Sequence, residues 1–110
     1  MDKRKPSAPL LPAQRRTLVK LGENIRYARL RRDISMEQAA ERAGVSRATL
    51  GKMEAGDSGV AIGSWLKLLY VLGLDSDLLK VAADDDFGRI LQDAKLPSRI
   101  RASKVTRRPE

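Results

Sequence analysis

Residues 35–56 read Ser-Met-Glu-Gln-Ala-Ala-Glu-Arg-Ala-Gly-Val-Ser-Arg-Ala-Thr-Leu-Gly-Lys-Met-Glu-Ala-Gly, and few backbones suit that order. Ser35 followed three residues later by Gln38 is a capping box, in which each residue satisfies an amide that the start of a helix leaves open. Ala39, Ala40 and Ala43 give that helix a small inner face, so a neighbour can approach closely. Gly44 supplies the left-handed conformation that most side chains avoid and stops the helix. Ser46 caps a second helix whose Leu50 and Met53 point the same way, and the run Gly56-Asp57-Ser58-Gly59 is a loop. The segment is therefore two short helices hinged at Gly44, with Ala40 at their crossing and Val45 filling the turn.

Composition narrows what such a hairpin serves. The chain has 110 residues, no cysteine and no histidine. That removes disulfides, thiolate zinc sites and the commonest general base and metal ligand. No phosphate-binding glycine loop is present either, so neither an enzyme nor a cofactor is expected. No window approaches the ~18 apolar residues of a membrane span, and the basic start lacks the apolar block of a signal peptide. A cytoplasmic protein without chemistry of its own is the expected fit.

The formal net charge of +8 is unevenly placed. Residues 1–32 hold ten basic and two acidic side chains, residues 33–94 six and eleven, and residues 95–110 six and one. Basic ends around an acidic middle suit contact with a polyanion, although solvated tails on an ordinary domain would look the same.

The flanks of the hairpin are helical by period. Residues 1–12, with Lys3, Arg4, Lys5 and three prolines, read as a disordered basic arm. From about Ala13 to Arg32 a helix places Leu18, Leu21, Ile25 and Ala28 on one stripe and Arg26, Arg29, Arg31 and Arg32 opposite. A fourth helix over 62–72 has Leu66, Leu69 and Tyr70 inward and stops at Gly73. A fifth over 75–83 has Leu78, Leu79 and Ala82 apolar. A sixth over 84–94 carries Asp84, Asp85 and Asp86 at its positive end and an apolar face of Phe87, Ile90 and Leu91. Residues 95–110 read as a basic flexible tail, which leaves residues 13–94 as the expected domain. With no strands and no repeats, the class is all-α.

Hairpins of this kind are helix-turn-helix units, which lay their second helix in the major groove of DNA. A merely structural hairpin is the plainer alternative. On the outer side of the third helix stand Arg47, Ala48, Gly51 and Lys52. Arg47 has the fork for guanine O6 and N7, and Ala48 suits a thymine methyl. Lys52 reaches a base or a phosphate. Gly51 costs about 1 kcal/mol relative to alanine in a helix, and is either an allowance for close approach or simply tolerated. Ser46 and Thr49 suit phosphate oxygens. Ser58 and the amides near Ile62 suit a phosphate on the other side.

Residues 21–29 (Leu-Gly-Glu-Asn-Ile-Arg-Tyr-Ala-Arg), the hairpin and the 62–73 helix together resemble the XRE (Cro/lambda-repressor-like) family. The resemblance spans roughly residues 21–83. It implies a five-helix lambda-repressor-like DNA-binding domain, here with a short extra C-terminal helix and basic tails, acting as a homodimer on a palindromic operator. It also implies a structural pair between Arg29 and Glu54. Family members commonly open the second helix with a phosphate-binding glutamine. Met36 stands there instead, so that phosphate clamp is missing unless Gln38 substitutes for it.

Residues 59–65 (Gly-Val-Ala-Ile-Gly-Ser-Trp), 72–74 and 91–99 (Leu-Gln-Asp-Ala-Lys-Leu-Pro-Ser-Arg) resemble HipB-like antitoxins. That resemblance implies a repressor that also captures a HipA-like serine/threonine kinase toxin. A stand-alone XRE regulator and an interaction module that no longer reads DNA are the competing readings. Arg47 and Lys52 speak against the latter. The extension with Phe87–Leu91, Arg99, Arg101, Lys104, Arg107 and Arg108 suits either a kinase or DNA phosphates. Trp65 reads as a core or dimer residue rather than a ligand stack. Leu74, Leu78, Leu79 and Val81 are the candidates for the two-fold contact. The expected setting is the bacterial nucleoid, with no membrane partner.

Overall fold

The computed structural model describes residues 8–95, whose regular elements are all helical, with no strand among the described residues. The order is α1 (Pro12–Arg31), α2 (Met36–Ala43), α3 (Arg47–Ala55), α4 (Ile62–Leu72), a 3-10 segment (Asp75–Lys80) and α5 (Asp86–Lys95). Residues 1–7 of the basic arm and 96–110 of the tail, with Arg99, Arg101, Lys104, Arg107 and Arg108, lie outside the described residues. The chain falls into two compact units that divide between Leu78 and Leu79.

In the first unit local chemistry sets the helix ends. Pro12 begins α1, where a missing N–H costs nothing, and the Gln14 side chain accepts from the Leu11 amide at 2.9 Å. Both halves of the Ser35–Gln38 capping box form. The apolar stripes then assemble: Ile25 and Ala28 from α1, the three alanines of α2, Leu50 and Met53 from α3, and Trp65, Leu68, Leu69 and Leu72 from α4. Helix α3 packs on α1 and α2, and α2 also packs on α4. Two glycines allow α1 and α3 to touch backbone to backbone. A Cβ on Gly22 would lie 2.5 Å from the Glu54 carbonyl oxygen, and one on Gly56 would lie 2.7 Å from the Leu18 carbonyl oxygen.

Three sequence expectations are corrected here. Leu66 and Tyr70 are not inward; they are 48% and 72% exposed, and α4 buries Trp65, Leu68, Leu69 and Leu72 instead. Nearly every residue from 65 to 72 is apolar, so two stripes fit the helical period, and packing against α2 selects the one with Trp65 and Leu68. Leu21 is exposed, and its neighbour Gly22 is the residue buried against the α3 backbone. The expected fifth helix is a six-residue 3-10 segment that ends before Ala82, whose φ is 62°. Leu78 packs on the core of the first unit, and Leu79 is exposed.

In the second unit α5 starts at Asp86 because Asp85 acts as its cap, accepting from the Gly88 amide at 3.0 Å. Arg89 reaches back to Asp86 at 3.1 Å and Asp84 at 3.8 Å. No residue of this helix is buried, and Phe87, Ile90 and Leu91 stand exposed.

Candidate nucleic-acid interface

The hinge between α2 and α3 rests on Gly44, whose φ of 71° is the left-handed value expected of a helix stop. Its amide and that of Val45 close the turn on the carbonyls of Glu41 and Ala40. Ser46 caps α3: its Oγ accepts from the Thr49 amide and donates to Thr49 Oγ1, both at 2.9 Å. Both roles of the Ser46 hydroxyl are thus used inside the helix start, and Thr49 retains a proton to offer outward.

A buried ion pair fixes the far end of α3. Arg29 Nε donates to Glu54 Oε2 at 2.7 Å, and Nη2 donates to Oε1 at 3.1 Å. Arg29 Nη1 donates to the Ile34 carbonyl at 2.9 Å, so one guanidinium ties α1, the α1–α2 loop and α3 together. Both side chains are only 7% exposed. The bond to Glu54 pushes the guanidinium pKa above its already high ordinary value; burial opposes this, and the charges of Glu54 and Glu37 add to it.

With α3 held at both ends, Arg47, Ala48 and Lys52 lie exposed along it. Arg47 is not alone there. Its Nε sits 3.2 Å from Glu37 Oε2 at the start of α2, with both side chains mostly in solvent. The sequence reading missed Glu37; the available signal was a pair of opposite charges in the first turns of two helices joined by one tight hinge. Gly51, expected on the outer side of α3, is instead half-buried and looks toward α2, where a Cβ would meet Met36 Cε at an ordinary 3.9 Å. Gly51→Ala is therefore expected to raise folding stability by about 0.5–1 kcal/mol, read as a higher urea midpoint, with DNA affinity unchanged. A gain in stability with a loss of DNA affinity would mean that bare backbone at Gly51 touches the duplex.

Other candidates are more dispersed. Gln38 Oε1 is occupied by the Ser35 amide at 2.9 Å, which leaves its Nε2 as the outward donor. Ser58 is exposed in the loop after α3, beside Asp57, whose Oδ1 accepts from the Gly59 amide at 2.7 Å. Ala61 at the start of α4 provides no side-chain cap, so the first amides of that helix are left without a side-chain partner.

A row of one guanidinium, one methyl and one ammonium on a rigidly braced short helix has the size and chemistry to enter a major groove. The family model described as Helix-turn-helix matches residues 25–79, half of the chain. The protein belongs to the helix-turn-helix family. This is the XRE-type branch, and the protein is a DNA-binding transcription regulator. Comparison with curated proteins and with solved structures returned no match. The family match begins within α1 and ends within the 3-10 segment of this helix-turn-helix protein, so α5 lies beyond it. Among the described residues no helix is long and apolar enough to cross a membrane.

Proposed function

We propose that this protein is a homodimeric repressor that reads a palindromic operator with α3. Arg47 is the guanine reader, Ala48 and Lys52 complete the base-facing row, and Thr49, Gln38 and Ser58 touch phosphates. The observation that carries this is the exposed Arg47–Lys52 row on a helix capped at one end and pinned by the Arg29–Glu54 fork at the other. A single module buries only about 600–1,000 Å² on DNA, and a second copy supplies the missing specificity.

The finer part of the reading is that the protein is an antitoxin of the bacterial cytoplasm, which represses its own operon and neutralises a HipA-like kinase. It rests on the likeness of residues 59–65, 72–74 and 91–99 to HipB-like antitoxins, with the basic tail as a further contact. Selection from random duplex DNA tests the first part. Enrichment of an inverted repeat, with half-sites about one helical turn apart, is the expected result, and no enrichment overturns it. A tagged pull-down from the native cell tests the second. A kinase recovered near one-to-one supports the antitoxin, whereas recovery of the protein alone leaves a stand-alone regulator.

A further inference from the structure

Each unit of the chain carries an apolar face that nothing described in that unit covers. On α4 it is the ridge of Ile62, Leu66 and Tyr70, at i, i+4 and i+8, which are 71%, 48% and 72% exposed. Leu66 and Tyr70 line a groove between α2 and α4 with Arg42, Lys67 and, at its end, Asp75. On α5 it is Phe87, Ile90 and Leu91, which are 69%, 65% and 41% exposed. A ten-residue helix with no buried residue has too little to hold it folded in water without a partner surface.

We propose that α5 of one copy seats in the α2–α4 groove of a second copy, reciprocally, and that this exchange makes the dimer. The inference rests on the homodimeric part of the function proposed above. Charge selects the occupant. The start of α5 sets three carboxylates (Asp84, Asp85, Asp86) against the single guanidinium of Arg89, while the groove is flanked by Arg42 and Lys67. The polarity also runs correctly. With α5 parallel to α4, the acidic end lies toward Lys67 and Lys95 lies toward Asp75, the one acid lining the groove. Both faces belong to the same chain, so a two-fold exchange covers both with one kind of partner and leaves no open end. Reciprocity doubles the buried surface toward the about 1,200–2,000 Å² of stable interfaces.

The absence of cysteine makes a direct test available. Full-length Leu66→Cys chains are mixed with full-length Ile90→Cys chains and oxidised; both positions are exposed, so the folded core is spared. The expected product is a disulfide-linked heterodimer formed in preference to either homodimer. A dominant Ile90→Cys homodimer means α5 pairs with α5, and no cross-link at all means the groove has another occupant; either result overturns the proposal. Sedimentation of the unmodified protein separates this from the broader reading. A monomer at tens of micromolar removes the homodimer itself, whereas a dimer that Phe87→Asp leaves intact removes only this seating. Phe87→Asp is expected to weaken dimerisation at least tenfold.

Discussion

Glu54→Ala is expected to cost about 3–5 kcal/mol of folding stability, because it leaves the Arg29 guanidinium buried with one carbonyl in place of a carboxylate fork. A domain of this size has roughly 5–15 kcal/mol in total, so the variant sits near the edge of folding. The loss reflects an orphaned charge more than the worth of the pair. The double variant Arg29→Met, Glu54→Leu is therefore expected to recover most of it. Urea unfolding of the two variants beside the parent checks this. A single variant that loses less than about 1 kcal/mol would mean that water reaches Arg29 and the fork is not what pins α3.

Arg47→Ala is expected to weaken binding to the selected operator by about 1–3 kcal/mol and to relax preference at one base pair of each half-site. The local geometry sharpens the expectation. Glu37 holds Arg47 by Nε at 3.2 Å, which leaves the two terminal nitrogens of the guanidinium for guanine O6 and N7. Glu37→Gln then removes an anion from the DNA-facing side: affinity for random duplex rises while preference at that base pair falls. Titrations of cognate and scrambled duplexes at one fixed salt concentration read both effects, since affinity without stated salt has no meaning here. Equal weakening on both duplexes would demote Arg47 to a phosphate contact.

The parts legible in advance share a physical cause. Ser35 with Gln38, Gly44 and Ser46 act on backbone groups within four residues of themselves, so their effects do not wait on the rest of the fold. Leu50 and Met53 were legible because α3 offers no competing apolar stripe. Helix α4 offered two, and the choice between Leu66 with Tyr70 and Trp65 with Leu68 was made by what α2 presents to it. In the same way the sequence shows Gly22 as a mere interruption in a helical stripe, whereas the fold uses it as the point where α1 meets α3. Of the proposed DNA-facing residues, the exposed row was readable from helical period, but the Glu37–Arg47 contact was not.

Taken alone, the residue order determined that the described residues are helical, where the hairpin turns, how α2 and α3 are capped, and that Arg47, Ala48 and Lys52 lie outermost on α3. Those properties follow from steric and hydrogen-bonding limits over a few successive residues. Only the tertiary structure decided which face of α4 is core, that Leu78 packs on that core, and that Arg47 shares its surface with Glu37. Each of these depends on where a neighbouring helix lies, and packing that is close to crystalline density admits one arrangement where the helical period admits two.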